Sequence, residues 1–220
     1  MEPLRPLYWG QGLFLQPQHF QQQDRYHEAR LQLYLHLLVP FCWGVKSLSI
    51  NETALRNYMF EVERFELVTL EGTMVWFERD SASNNAKIAP RFFEAALHPE
   101  SKPLSVFLGL KRLRWEEPNI APSDGLSNNS AEALRHRRFS IYERGTPDLF
   151  AEESRESSLK YLVHEVHILF EEEVERAQDY ELVKVAELLR AAEGQGAVLS
   201  RRGVDKSWGR GDTTTEARYP

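Results

Sequence analysis

The chain has 220 residues, with 27 lysines and arginines against 33 aspartates and glutamates, for a formal net charge of -6. A chain of this size can bury about 70% of its unfolded surface, enough for one domain with its own core. Its 42% hydrophobic and 11% aromatic content exclude bulk disorder, and the acidic balance argues against a general nucleic-acid binder, which needs a basic footprint.

Residues 1–16 contain Pro3, Pro6, Gly10 and Gly12 and cannot form a regular helix. They are nevertheless apolar, with Leu4, Leu7, Tyr8, Trp9, Leu13, Phe14 and Leu15. Apolar side chains without regular structure lie in a groove on something. The groove belongs to the rest of this chain, to a second copy or to another protein.

Pro17 suits the first position of a helix, where its missing N–H would be unpaired anyway. The helix is expected over residues 17–39, stopping before Pro40. Phe20, His27, Leu31, Tyr34 and Leu38 form one stripe at a 3.6 period. Gln21, Gln22, Asp24, Arg25, Glu28 and Arg30 line the other side, and Leu33, Leu35 and Leu37 widen the apolar face in the last turns.

Beyond Pro40 the period changes to two. Strands are expected around Val45 to Ile50, over Tyr58 to Glu63 and on to Leu70, and back over Thr73 to Phe77 after the Glu71-Gly72 turn. Asp80 to Asn85 reads as a polar loop. Arg91 to Leu97 and Leu104 to Leu110 read as strands, and Glu116 to Ala133 as a long exposed loop. Arg138 to Glu143 is a strand, and Gly145 to Ser158 a polar connection. Lys160 to Phe170 is the strongest strand by its β-branched and aromatic content, with Leu162, His164, Val166, Ile168 and Phe170 looking into the core. Glu181 to Arg190 closes the series. Short strands with turn chemistry between them predict a mainly β fold, an antiparallel β-sandwich over residues 40–200 behind an N-terminal amphipathic helix. Without βαβ units a doubly wound nucleotide-binding fold is not expected. Residues 201–220, polar and without alternation, read as a disordered or non-native tail.

No constellation argues for catalysis. His164 and His167 point to opposite sides of a strand and lack the helical spacing of a shared metal site. Cys42, between Phe41 and Trp43, reads as a buried, inert thiol. Glu171-Glu172-Glu173 reads as a solvated turn, and Arg135, His136, Arg137 and Arg138 as a solvated basic face. Arg210-Gly211-Asp212 is a chance tripeptide. No phosphate-binding loop, nucleophile elbow or zinc-knuckle spacing is present, and neither a cofactor nor a metal is expected. One cysteine forbids an intrachain disulfide. No apolar run reaches the ~20 residues of a membrane span, and residues 1–12 lack the continuous apolar run expected of a secretory signal. The cytoplasm is the expected location.

One stretch is different in kind. Tyr8-Trp9-Gly10-Gln11-Gly12-Leu13-Phe14-Leu15-Gln16-Pro17-Gln18-His19-Phe20-Gln21-Gln22-Gln23-Asp24-Arg25-Tyr26 resembles the start of the TssK family, also called ImpJ or VasE, of the bacterial type VI secretion baseplate. Phe41, Trp43, Gly44 and Val45 and the strand pattern to about Leu199 are similar to the same N-terminal region. The resemblance implies a β-sandwich shoulder similar to that of phage receptor-binding proteins, attached to the wedge subunits TssF and TssG. It implies a homotrimer in full-length relatives. There a helical neck and a head, which contacts the TssL–TssM membrane complex, follow the shoulder. Against that pattern this chain departs after Ser200, so neither the neck and head nor contact with TssL and TssM is expected of it.

The function expected is therefore structural and non-enzymatic. Leu7, Trp9, Leu13, Phe14 and Phe20 are the candidate partner-binding residues, with Trp9 as anchor because aromatics dominate hot spots. The same residues could equally pin the segment to its own sandwich. The rival is a carbohydrate- or receptor-binding sandwich of phage-tail type, with an aromatic platform at Trp115 or Trp76. A metal-dependent enzyme on a jelly-roll scaffold is a third possibility, without ligand spacing to favour it.

Overall fold

The structure, a computed structural model, describes residues 5–39, 41–97, 102–114, 116, 118–120, 137–148, 150, 156–191 and 196–200. The expected tail, most of the 116–133 loop, Trp115, Arg135 and His136 lie outside them. The described residues up to Cys42 belong to one compact unit and those from Trp43 onward to a second.

The first unit carries α1, Pro17–Leu38. Proline takes the first helical position, and the His19 N–H donates to the Gln16 carbonyl (3.0 Å) to close the first turn. Ahead of it, Gly12 adopts φ 82° and the Leu13 N–H donates to the Gly10 carbonyl (3.3 Å). That is a tight turn whose third residue sits in the left-handed region glycine tolerates.

The second unit is the sandwich. One antiparallel sheet has the order β1 (Gly44–Ile50), β3 (Val62–Val68), β4 (Met74–Glu78). The larger sheet runs β11 (Ala197–Leu199), β10 (Tyr180–Arg190), β7 (Leu104–Lys111), β9 (Glu156–Phe170), β5 (Ala86–Ile88), with β8 (Phe139–Pro147) also paired to β9. Its pairs are antiparallel except β5 with β9. β2 (Met59–Phe60) pairs with β6 (Arg91–Phe92). Phe65, Leu67 and Val75 of the small sheet meet Leu104, Val106, Val185 and Leu188 of the large one in a single core cluster. Phe60 within it is fully buried, at 0% exposure.

Sequence alternation builds this core where it is regular, and a bulge repairs it where it is not. β7 buries Leu104, Val106, Leu108 and Leu110 at every second position. β10 starts with Val183 and Val185 inward, then Ala186 and Leu188, because the register against β7 shifts between Lys184 and Ala186. The short helix α2 (Glu52–Arg56), which periodicity does not announce, is capped by Asn51, whose side chain accepts from the Thr53 and Ala54 N–H groups at 3.0 and 3.1 Å. β11 passes so close to it that a Cβ on Gly196 (φ 76°) would lie 2.4 Å from the Arg56 Cα; only glycine fits there.

Three expectations are corrected. The strand expected over Tyr58 to Glu63 is divided, with Tyr58 at φ 58° and β2 and β3 in different sheets. Arg91 to Leu97 is not one strand: after Phe92 the chain makes a 3-10 turn at Glu94–Ala96, where the weak strand formers Ala95 and Ala96 sit. Gly145 to Ser158 is not simply a connection. Pro147 pairs with Glu156 and Phe139 with His164, so β8 and the first half of β9 form a long ribbon. Except at its Phe139–His164 end, both faces of that ribbon meet solvent, so it needs no apolar alternation. For the same reason Leu162 is exposed, while Val166, Ile168 and Phe170 are in the core as expected and Val163 is buried on the opposite face.

Candidate interaction surface

The first unit is built from few local contacts. The His19 Nδ1 accepts from the Gln16 N–H (3.1 Å), and the Trp9 ring lies 6.2 Å from the His19 ring at 40°. Farther along α1, the Arg30 guanidinium sits 5.6 Å from the Tyr26 ring and 5.9 Å from the Tyr34 ring, and donates to the Tyr34 hydroxyl (3.2 Å). This i, i+4 ladder orders one exposed face of the helix. Arg30 also lowers the Tyr34 hydroxyl pKa through that hydrogen bond and its charge.

None of the described residues from Arg5 to Val39 is buried, and α1 has no buried residue at all. Of the five candidate residues, Leu7 is half-buried, Trp9 is 50% exposed, Phe14 is 80% exposed, and Leu13 and Phe20 are exposed. The structure brings no pair of the five into a ring contact; Trp9 meets His19 instead. The apolar surface continues past the expected set, through Leu31, Leu33, Tyr34, Leu35 and Leu37 to Leu38 at 77% exposure. Phe41 extends it: it is exposed and adopts φ 66°, a strained conformation for a bulky residue. Nothing local in the sequence signals that backbone angle.

The other sequence candidates resolve into structural roles. Arg138 is no solvated cation: at 7% exposure it donates to the Lys111 carbonyl (2.6 Å), to Glu181 Oε1 (2.8 Å) and to Thr73 Oγ1 (3.0 Å). Beside it, Lys111 pairs with Asp179 (3.0 Å), which Arg114 also reaches (2.9 Å). Burial alone would raise the Asp179 carboxyl, but the two cations outweigh it and hold it below the ordinary range. Glu71 lies above that range, raised first by burial and then by the charge of Glu181. Glu173 of the acidic run is likewise engaged, in a two-pronged pair with Arg91 at 2.7 Å, and it accepts the Phe170 N–H (3.0 Å). Its neighbour Glu171 meets Lys102 at 3.3 Å. Sequence could not assign these partners, because Arg91 on β6 and Glu173 in the 3-10 turn after β9 are brought together only by tertiary packing.

The His164 ring lies 4.9 Å from the Phe139 ring, tilted at 40°, and His167 lies edge-on to Tyr180 at 5.8 Å. Burial, and then the charge of Arg138, push His164 down to about 4. Among the described residues no group of three His, Cys, Asp or Glu side chains could hold a metal ion. Cys42 is half-buried rather than buried. Trp76 is partly exposed, and its indole N–H is already donated to the Ser83 carbonyl (2.8 Å). No helix among the described residues is long and apolar enough to cross a membrane.

Comparison with known proteins assigns this arrangement. Residues 19–202 match the family described as bacterial type VI secretion, VC_A0110, EvfL, ImpJ, VasE. The type VI secretion system baseplate component TssK1 of Pseudomonas aeruginosa is 34% identical over 65 residues, covering 30% of this chain and 15% of that protein. A crystal structure of TssK superimposes with a TM-score of 0.72 at 19% identity, over 90% of this chain and 41% of the other. The TssK of a TssK-TssF-TssG baseplate subcomplex gives 0.71 at 18% identity, over 90% and 60%. The chain thus spans less than two thirds of these relatives, and the structural likeness establishes a shared fold. With most of its length matched by the family model, the chain belongs to the TssK (ImpJ, VasE) family of type VI secretion proteins.

Proposed function

We propose that this chain is a structural adaptor of the type VI secretion baseplate, located in the cytoplasm and without catalytic activity. Residues 40–200 act as its shoulder, residues 17–39 as a docking helix, and residues 1–16 as a docking segment for the wedge subunits TssF and TssG. The observation that carries this reading is the apolar surface of Trp9, Leu13, Phe14 and Phe20, continued along α1, which the chain leaves exposed. Apolar surface on this scale marks an interaction site. Family membership supplies the partners, since one related TssK is solved within a TssK-TssF-TssG subcomplex. A standard interface of roughly 1,600 Å², at ~25 cal/mol per Å², supports a stable complex after ordering costs are met.

Trp9→Ala tests the proposal. Co-purification of the chain with TssF and TssG should fall by about 30-fold or more in affinity, the size of a hot-spot loss, while the melting temperature stays constant. Equal losses of binding and stability would mean that the segment serves only its own unit. Unchanged binding would reject the docking role.

A further inference from the structure

Strand β4 is the outer strand of the three-stranded sheet. Its amide groups alternate in direction. The Arg79 N–H donates to the Glu63 carbonyl on β3 (2.8 Å), so residues 74, 76 and 78 turn their N–H and C=O groups outward. Such a row is a template for a strand from another molecule.

Here two side chains occupy the row. The Trp76 N–H donates to Asn85 Oδ1 (2.7 Å), and Asn85 Nδ2 donates to the Met74 carbonyl (2.9 Å). The Glu78 N–H donates to Asn84 Oδ1 (2.8 Å), and Asn84 Nδ2 donates to the Glu78 carbonyl (2.8 Å). A carboxamide carries the same donor and acceptor as a peptide group. The two asparagines therefore satisfy the edge as a neighbouring strand would, without being one. A second Asn84 bond, from Nδ2 to the Ser81 carbonyl (3.0 Å), holds the loop in place. Asn85 also reaches the other sheet, its carbonyl accepting the His164 N–H (2.8 Å) directly before β5 pairs with β9.

We propose that Asn84 and Asn85 form an edge lock. β4 is a strand-accepting surface, and its occupant is this chain's own 84–85 segment. The lock prevents a second copy from adding its β4 to the sheet. Met74 and Trp76, both partly exposed on β4, would be covered by such a pairing.

Amide hydrogen exchange on the full chain, with its mass measured by light scattering, tests this. In the unsubstituted chain the Trp76 and Glu78 amides are protected although they lie at an edge. Asn85→Ala should speed exchange at Trp76 by at least about tenfold and leave Glu78 protected, and Asn84→Ala should do the reverse. The double variant should gain mass over the unsubstituted chain at equal concentration. Rapid exchange at both amides in the unsubstituted chain would overturn the lock. So would joint loss of both amides in either single variant, or an unchanged mass in a folded double variant. Should the double variant fail to fold, the two single variants decide the matter: selective loss at Trp76 in Asn85→Ala and at Glu78 in Asn84→Ala supports the lock, and unchanged protection in both overturns it.

Discussion

The leader with α1 and the sandwich are both rich in large apolar side chains, yet they use them in opposite ways. In the sandwich, Phe60, Phe65, Leu104, Val106 and Leu188 are all but removed from solvent. In the leader and helix, Tyr8, Phe14, Leu37 and Leu38 remain largely exposed. Two sheets present facing surfaces that cover each other, whereas the described residues of the first unit offer one helix and a short, turn-broken leader, with no second layer of their own. The difference teaches that apolar content alone does not distinguish a core from a docking surface.

The sharpest way to break this contrast is at the core. Phe65→Ala should cost about 3–5 kcal/mol in denaturant unfolding, because the cavity between the sheets cannot collapse. A loss under ~1 kcal/mol would show that the sandwich is not packed as described. Arg138→Met should cost a similar or slightly smaller amount, about 3 kcal/mol, by stranding the buried Glu181 carboxylate; Arg138→Met with Glu181→Leu should recover most of it. No recovery in the pair would exclude the ion pair as the cause.

Titration of His164 gives a smaller effect with a defined direction. Its folded pKa, about 4, is below the ordinary histidine value of 6.5. Above pH 6.5 both states are neutral and the stability contribution is fully present. As pH falls from 6.5 toward 4 the unfolded chain takes up the proton first, and stability should decline by at most ~3 kcal/mol. In His164→Gln that portion of the pH dependence should vanish in urea titrations at successive pH values; an unchanged slope would assign it to other groups. The smallest effect is expected in the other region. Leu37→Gln and Phe14→Ser should change the unfolding free energy by no more than ~0.5 kcal/mol. A loss above ~2 kcal/mol would show these side chains to be part of the chain's own core, and the contrast would fail.

Much of the fold is legible locally. Pro17 and Pro40 bracket α1, and the alternation of Leu104, Val106, Leu108 and Leu110 marks β7 as a core strand. The ribbon of β8 with β9 is only half legible, because strands exposed on both faces carry no period-two signal. α2 escapes notice because Glu52–Arg56 is too short for a helical period to show. The candidate residues stand out as an apolar set, but their exposure is not foreseeable, since a sequence records which side chains need cover and not whether the same chain supplies it.

Local patterning by itself thus determined a mainly β chain behind one proline-started helix, a core drawn from alternating residues, and an apolar leader. All three depend on neighbours only a few residues apart. Tertiary structure alone decided that Arg138 is buried against Glu181, that Arg91 meets Glu173, and that Asn84 and Asn85 cover the edge of β4. The first two join residues far apart in the chain, and the last depends on where the loop's amide groups fall beside a strand. Such matches are made by sheet register and packing, which no short window of sequence contains.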